Sequence, residues 1–327
     1  MTQVDMIRDV TQEDVTLTDP LNHYFPVLDD GFIALKGSMG SDEEIEQAAR
    51  VSYGKGTRKV SDTRNLLRFL LRHHHTTPFE MGELKFHLRA PIYVIRQWHR
   101  HRTWSYNEYS GRYSEMIDSM EKTEPDKWRL QSGSNKQGSD GFLSVENSSE
   151  SEFDGGQALS EDEGYLQSNI TYQYQKRLKA GVAKEQARKD LPVSNYTEMY
   201  AKVDLKNLFG FLRLRCDSHA QWEIRQYANV MAGVVKELFP ISFEAWYDYH
   251  FTSSNLTRLD KLMLNFHSQS MGTVNVNYVA EDYLAYAEEI GMGKRELTEF
   301  WDKISPVEDQ DFSLDFSKTY EIKEDAE

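Results

Sequence analysis

The chain has 327 residues, of which 39% are hydrophobic and 28% are charged, a composition typical of a soluble globular protein rather than a disordered or fibrous one. Lysine and arginine number 38 against 53 aspartate and glutamate residues, so the formal net charge is −15. This balance excludes a protein that coats duplex nucleic acid, because such binding needs a net basic face. A local arginine cluster that binds a small anion is compatible with it.

The cysteine count and the hydropathy pattern predict a cytoplasmic protein that does not enter a membrane. Cys216 is the single cysteine, so an internal disulfide and a zinc site made mainly of cysteines are both excluded. Residues 1–20 carry acids throughout and lack the apolar core of a secretory signal. No apolar run approaches the ~20 residues that a membrane span needs.

Hydrophobic periodicity predicts a mixed α/β (α+β) chain in which helices dominate. An extended segment over 24–35 is broken by a turn at 29–31, and a helix begins after Ser41. The remaining predicted elements are a helix over 62–75 with Asp62 as N-cap, a strand over 84–88, a helix after Pro91, helices over 165–180, 183–191, 205–214 and 218–238, and a strand over 196–203.

Two stretches stand apart from this pattern. Residues 131–163 are rich in Ser, Gly, Asp and Glu, which predicts a disordered, mobile loop because little apolar surface is available to offset chain entropy. Residues 254–327 contain one predicted helix, over 281–302, and then an acidic tail. We therefore expect a single domain over 1–327 with a disordered insertion and a C-terminal extension.

The densest cluster of functional groups lies in residues 96–113, RQWHRHRTWSYNEYSGRY. Its four arginines present planar guanidinium groups, which bind phosphate oxygens through paired donors and also stack on flat rings. Gly111 allows the backbone to approach a ligand closely. The cluster indicates a site for a flat anionic ligand such as a nucleotide. The alternative is a solvated basic helix end, whose cations offset the negative end of the helix macrodipole.

The same cluster resembles the signature of a known family. Arg100-His101-Arg102, followed after seven residues by Ser110, resembles the signature of the flavin-dependent thymidylate synthases, and N-E-x-S-G-R-Y at 107–113 matches its extended form. Further segments follow in the family's order: AARVSYG (48–54), HTTPFE (75–80), RAPIYVIRQW (89–98), ARKDLP (187–192) and NLFGFLRLRCDSHAQWEIRQYA (207–228). The resemblance covers residues 30–250 apart from the insertion.

This resemblance implies which residues hold the ligands and which one is catalytic. The implied dUMP-binding residues are Gln97, Trp98, His99, Arg100, Glu108, Tyr109, Ser110, Gly111, Arg112, Arg188 and Arg215. The implied FAD-binding residues are His75, Thr77, Arg100, His101, Arg102, Glu108, Asp204, Leu205 and Lys206. Arg215 is the implied catalytic residue, placed against the uracil ring, and His75 is implied to lie near flavin and folate.

The implied reaction is de novo synthesis of dTMP from dUMP, with methylenetetrahydrofolate as carbon donor and NADPH as reductant. FAD carries the redox step, and the protein supplies orientation and electrostatics. The family's fold packs helices around an antiparallel sheet, and its pocket is shared between the subunits of a homotetramer. This chain departs from the family pattern at Gly210, where Asn or His is common, and at Asp204 and Lys206.

Several of these residues also have a purely structural interpretation. Arg188 follows Lys184 by four residues, as on a solvated helix face. Arg215, His219 and Glu223 have the spacing of a surface charge ladder. In contrast, Asp217 and Ser218 with Gln221 resemble a capping box, which favours a helix break that directs Arg215 into a pocket.

Ser110 and the remaining titratable groups have simpler interpretations. Ser110 is predicted to bind dUMP by a hydrogen bond, because no activating base is apparent for a nucleophile. No metal is expected at residues 73–75, HHH, because no Cys and no H-x-x-x-H spacing accompanies them. Cys216 is predicted to be a packing thiol, since no histidine-backed Cys constellation is present.

Two other functions compete with the enzyme hypothesis. A single-stranded RNA-binding module would use the Arg-rich and aromatic stretch for stacking and phosphate contact, but the net charge of −15 argues against it. A catalytically silent scaffold would keep the fold and have lost its flavin through Gly210. The absorbance spectrum of the purified protein distinguishes these hypotheses.

Overall fold

The computed structural model describes residues 20–51, 62–133, 138–146, 155–272, 280–307 and 309–320. Its central sheet contains strands whose side chains alternate between buried and more exposed positions. Leu84, Phe86 and Leu88 are buried on one face, while Lys85 between them is exposed. The five strands are antiparallel in the order β1-β2-β3-β7-β4. They are β1 (Tyr24–Val27), β2 (Gly31–Met39), β3 (Glu83–Pro91), β4 (Ser105–Glu108) and β7 (Tyr196–Asp204), and a separate hairpin joins β5 (Arg129–Gln131) to β6 (Ser139–Phe142). The predicted mixed α/β class with an antiparallel sheet is confirmed.

Helices pack against this sheet and against one another. They are α1 (Asp42–Arg50), α2 (Thr63–Arg72), α3 (Ile92–Trp98), α4 (Gly156–Lys179), α5 (Lys184–Ala187), α6 (Leu205–Arg215), α7 (Trp222–Leu238) and α8 (Pro240–Trp246). Ser41 and Asp62 cap α1 and α2 as predicted, each accepting a backbone N–H of the first turn. Trp98 stacks on Phe211 with ring centroids 4.9 Å apart and meets the edge of Tyr227 at 6.1 Å. These rings join α3, α6 and α7 beneath the sheet.

The segment predicted to be a mobile loop differs from that prediction wherever it is described. It contributes the hairpin β5–β6, and α4 begins at Gly156 rather than at 165. Trp128 Nε1 donates to Ser160 Oγ at 2.9 Å, and a Cβ at Gly156 would lie 2.0 Å from the Pro125 carbonyl oxygen. These few tertiary contacts order a polar segment that composition alone assigns to a loop. Residues 134–137 and 147–154 of the prediction lie outside the described residues.

The chain divides into two compact units, and the second runs from Tyr247 to Asp311. The sequence predicted one domain with an extension from residue 254. This unit contains α9 (Arg258–Gly272), α10 (Ala280–Ile290) and α11 (Lys294–Ile304) around the buried side chains Met263, Ala287, Met292, Leu297 and Phe300. The helix predicted over 281–302 is therefore two helices, because the chain turns at Gly291 with a φ of 77°, a backbone conformation that favours glycine.

The chain then returns to the first unit through residues 312–320, here called the C-terminal strap. The Phe312 ring lies 5.7 Å from Phe243, edge to face. Tyr24 and Tyr320 exchange backbone hydrogen bonds of 3.0 and 3.3 Å, and their rings stack at 5.6 Å. The strap therefore lies along β1, the outer strand of the sheet.

The helices of the described residues include none that is both long enough and apolar enough to cross a bilayer.

Candidate functional site

The turn after α3 carries the predicted arginine cluster and is held by one tyrosine of β4. Tyr106 donates its hydroxyl to the backbone carbonyl of Trp98 at 3.1 Å and to that of His101 at 2.8 Å. The Tyr106 backbone is itself fixed in register opposite Ala201 of β7. This arrangement leaves Arg100 and Arg102 exposed on the turn, as a site for an anionic ligand requires.

His101 and Arg215 form a contact at the end of α6. Arg215 is the last residue of α6, and its Nε donates to His101 Nε2 at 3.1 Å. The His101 ring also meets Phe211 edge to face at 4.8 Å. Burial and the nearby guanidinium lower the pKa of His101 to about 4, so the ring is neutral at pH 7 and carries its proton on Nδ1. Arg215 bonds to the described protein through Nε alone, which leaves both Nη groups for a ligand.

Gln97 lies one turn before this pair, on the last turn of α3. Its side-chain amide donates to the amide oxygen of Gln221, the residue just before α7. Gln97 is thus fixed by Gln221, and Arg215 by His101. Gln97, His101 and Arg215 form what we call the helix-end group.

A second group forms where the loop after β4 meets α5. Thr197 donates to the Glu108 carboxylate at 3.1 Å, which fixes the start of the loop. A Cβ at Gly111 would lie 2.2 Å from Met116 Sδ and 3.0 Å from Arg188 Cδ. Met116 would have to move to admit a larger residue, and Arg188 packs directly against Gly111.

Arg112 lies on the same loop and pairs with Glu185 of α5 at 3.3 Å, both side chains being exposed. Ser110 Oγ accepts the Arg112 backbone N–H at 3.4 Å, and Tyr109 donates its hydroxyl to the Glu115 carbonyl at 2.5 Å. Arg188 starts a 3-10 turn after α5 and is half-buried, which differs from the solvated helix face of the structural interpretation. Glu108, Ser110, Gly111, Arg112 and Arg188 form what we call the loop group.

Part of the set implied to hold flavin, Thr77 and residues 204–206, lies near the start of α6. Leu205 N donates to the Gly82 carbonyl at 2.8 Å, which ties α6 to the 3-10 turn Thr77–Met81. Asp204 is the N-cap of α6, and its carboxylate accepts from the backbone and the side chain of Asn207 at 2.9 and 2.5 Å. Capping therefore occupies the Asp204 carboxylate. His75 is exposed after the end of α2, in edge contact with Phe69 at 6.0 Å.

Two of the predicted contact residues have side chains that are inaccessible. Trp98 and Leu205 are both 0% exposed, because each contributes an apolar side chain to the core under the sheet. Any contact of these two residues with dUMP or FAD must therefore be made by backbone atoms, and those contacts stay a prediction. His99 is exposed, and its ring meets Tyr106 edge to face at 4.9 Å.

The predicted substrate and cofactor residues do not gather at one point of a single chain. Glu108 is paired with Met199 of β7, whereas Asp204 is the last residue of that strand. Five residues of extended chain separate the two positions, which is about 17 Å. The loop group and the start of α6 therefore lie toward opposite ends of β7.

Comparison with known proteins identifies the family of this chain. The family model described as "Thymidylate synthase complementing protein", Thy1, matches residues 34–241. A relative from Wolbachia pipientis, named flavin-dependent thymidylate synthase, is 46% identical over 71% of this chain and 79% of its own length. The chain belongs to the flavin-dependent thymidylate synthase family. A relative of the same name from Ehrlichia ruminantium is 42% identical over 88% of this chain and 91% of its own length, so the similarity includes part of the C-terminal extension.

A solved structure supports this assignment. The UMP/dUMP methylase PolB from Streptomyces cacaoi, bound with 5-Br UMP, superposes with a TM-score of 0.58 at 32% identity, over 69% of this chain and 97% of its own. Because the family and the PolB neighbour are enzymes, the prediction that this chain is an enzyme is confirmed. The RNA-binding alternative is therefore set aside.

The residues near Arg215 correct two interpretations made from the sequence, the capping box before α7 and the surface charge ladder. α7 begins at Trp222 rather than at 218, and Gln221 makes no capping bond. His219 pairs with Asp217 at 2.9 Å, and Glu223 is buried, so the charge ladder does not form. Gln221 was predicted only as part of a capping box, so its hydrogen bond with Gln97 was not expected.

The exposed surface of α6 at Gly210 has room for a flavin nucleotide. Gly210 is exposed, and a Cβ built on it would meet nothing within 4 Å, so a flat ring can approach the helix backbone there. Exposed Arg100 and Arg102 supply the cations that phosphates require. Cys216 is 1% exposed, and burial raises the pKa of its thiol, as expected for a packing residue. The described part of the chain contains no group of three His, Cys, Asp or Glu that could hold a metal.

Proposed function

We propose that this chain converts dUMP to dTMP, with methylenetetrahydrofolate as carbon donor, NADPH as reductant and FAD as cofactor. The transferred methylene carbon becomes the new methyl group, NADPH supplies two electrons, and tetrahydrofolate and NADP⁺ leave. One observation carries the proposal: in a chain of this family, a half-buried arginine with both Nη groups available to a ligand is held against a neutral histidine of the signature. The names of the relatives and of the PolB structure, a UMP/dUMP methylase, support it.

The two groups divide the nucleotide between them in this proposal. Arg112 and Arg188 flank Gly111 and bind the phosphate through paired N–H donors. Ser110 adds a hydrogen bond, and Gln97 binds the uracil. The nucleotide is thereby oriented before any chemistry occurs.

Arg215 is the proposed catalytic residue. Its guanidinium carries a fixed positive charge to the uracil ring and stabilises the negative charge that develops there as the ring becomes electron-rich. His101 and Phe211 restrict its motion on one side. Because His101 is neutral, it does not compete with Arg215 by adding a second positive charge.

FAD, when bound, supplies the electron transfer from NADPH to the methylene group. His75, Thr77, Arg102 and Lys206 are the residues proposed to hold it, together with Arg100, His101 and Glu108. The open surface at Gly210 supports this placement. Asp204 is assigned a structural role as N-cap.

The complete site is proposed to form between subunits of a homotetramer. The exposure of Arg100, Arg102 and Arg112 in one chain and the separation of the two ligand sets along β7 support a shared pocket. The single cysteine supports a reducing, cytoplasmic compartment.

Anaerobic flavin reduction by the purified protein tests this function. We expect a flavin absorbance band, faster flavin reduction by NADPH in the presence of dUMP, and dTMP formation when methylenetetrahydrofolate is added. Absence of the flavin band, with no rescue by added FAD, would support the silent-scaffold alternative. Flavin reduction without dTMP formation would contradict the assignment of the substrate.

A further inference from the structure

The hairpin β5–β6 is connected to the helix-end group by a continuous chain of side-chain contacts. Arg129, the first residue of β5, forms an ion pair with Glu223. Gln221 Nε2 donates to the other oxygen of the Glu223 carboxylate at 2.8 Å. Gln97 Nε2 in turn donates to the amide oxygen of Gln221. We call these four residues the amide relay.

The direction of each bond in the amide relay follows from the charge on Glu223. The Glu223 side chain is 6% exposed and pairs with the Arg129 guanidinium, so it is an acceptor only. Gln221 must therefore turn its NH₂ group to Glu223 and its oxygen to Gln97. Gln97 must then use its own NH₂ group for Gln221, and its amide oxygen is left to accept a hydrogen bond.

Arg129 is held by this pair rather than by dense packing. Two surface cavities, of about 650 and 400 Å³, both have Arg129 and Trp222 among their lining residues. The Arg129 guanidinium lies over the Trp222 ring at 5.1 Å. The described contacts that orient the guanidinium are therefore the ion pair with Glu223 and the stacking on Trp222.

We propose that Arg129 is a positioning residue for the nucleotide base: through Glu223 and Gln221 it fixes the Gln97 amide with its oxygen toward the ligand. This inference rests on the proposed function, because it places the base beside Gln97. An outward amide oxygen accepts from the imide N3–H of uracil. Cytosine has no hydrogen on N3, so the amide relay favours dUMP over dCMP.

Loss of the Arg129 charge reveals the amide relay. In Arg129→Ala the buried Glu223 carboxylate has lost its counter-charge. It then needs other hydrogen-bond donors, and this displaces the side chain of Gln221. We expect dUMP affinity to fall about tenfold, the effect of one misplaced hydrogen bond in a buried site. Affinity for dCMP should stay unchanged, so the preference for dUMP falls by the same factor.

A second substitution separates this role from simple packing. In Arg129→Lys the ammonium restores the counter-charge of Glu223, which stays an acceptor only, so dUMP affinity should stay close to the wild-type value. Lost stacking on Trp222 would not recover. Lys127→Ala is the matched control, because Lys127 lines the same cavities and its ammonium pairs only with the neighbouring Asp126.

Calorimetric titration of dUMP and dCMP into the full-length, FAD-loaded protein provides the measurement, with thermal unfolding as a check on folding. Wild-type affinity in Arg129→Ala, or affinity in Arg129→Lys as low as in Arg129→Ala, overturns the inference. If Arg129→Ala does not fold, Gln221→Leu breaks the amide relay while leaving the ion pair, and unchanged selectivity there overturns it equally. A wild-type protein that binds no dUMP contradicts the proposed function itself.

Discussion

The contact between His101 and Arg215 determines the protonation state of a residue inside the family signature. Burial is the larger cause of the low pKa of His101, and the Arg215 guanidinium is the second. Both causes disfavour a charged imidazole, so the ring accepts the Nε–H of Arg215 across the whole neutral range. A single hydrogen bond thus fixes the tautomer of one residue and the direction of the other.

Replacing Arg215 with leucine should raise the pKa of His101. Removal of the guanidinium takes away one cause and leaves burial, so the pKa should rise from about 4 without reaching the ordinary value of about 6.5. NMR titration of the His101 ring signals provides the measurement. Arg213→Leu, on the exposed side of α6, should leave the pKa unchanged, and a pKa that does not respond to Arg215→Leu would contradict the contact.

Replacing Arg215 with alanine should abolish dTMP formation, while the rate of flavin reduction should fall much less. The proposed role of the charge is to stabilise the electron-rich uracil, and loss of such a donor costs about 3–4 kcal/mol, or two to three decades in rate. Reduction of the flavin by NADPH does not involve that charge. A dTMP assay run beside stopped-flow flavin reduction measures both steps, and equal losses would indicate that Arg215 supports the whole pocket instead.

At the scale of single elements, two glycines in helix interiors provide a matched comparison. A Cβ at Gly210 of α6 would meet nothing within 4 Å, whereas one at Gly233 of α7 would lie 2.6 Å from Leu314 Cδ2 and 2.8 Å from the Phe312 carbonyl oxygen. Helical glycine costs about 0.5–1 kcal/mol relative to alanine when space is available. The α7 position instead makes room for the C-terminal strap.

We therefore expect opposite effects from the same substitution. Gly210→Ala should raise the free energy of unfolding of flavin-free protein by about 0.5–1 kcal/mol. Gly233→Ala should lower it by about 1–3 kcal/mol, because the strap must move. Urea denaturation of both variants measures the difference, and stabilisation by both would show that the strap does not press on α7.

Element boundaries set by local chemistry were predictable, and those set by distant contacts were not. Ser41 and Asp62 cap helices through bonds within four residues, so the sequence located α1 and α2. The start of α4 depends on Gly156 meeting the carbonyl of Pro125, which no periodicity records.

The site followed the same rule. The signature and its order along the chain named the residues of the helix-end and loop groups, but not the contact between His101 and Arg215. The burial of Trp98 was not predicted, because that residue lies within the motif and its helical spacing alone does not say which neighbours cover it. The connection from Gln97 to Arg129 was not predicted either, since it joins residues far apart in the chain through Gln221 and Glu223.

At the scale of the whole molecule, a pocket shared between subunits predicts complementation. If the helix-end group of one subunit faces the loop group of another, Arg215→Ala and Arg188→Ala damage different halves of each site. Mixed oligomers of the two inactive variants should then regain activity at about a quarter of the wild-type level, since random pairing joins two intact halves that often.

The measurement is a dTMP assay after joint unfolding and refolding of the two variants. Each variant refolded alone is the control and should stay inactive. Activity that fails to appear in the mixture, despite mixed oligomers by native mass spectrometry, would place both arginines in the site of one subunit.

The C-terminal strap also has a consequence for how the chain acquires its structure during synthesis. Tyr24 lies in the first strand, yet the backbone that pairs with its outer edge belongs to Tyr320. An exposed strand edge is a template for association with other chains, and domains fold while the rest of the chain is still being made. On the ribosome, the edge of β1 therefore remains available to other strands until the C-terminal strap, about 300 residues later, emerges.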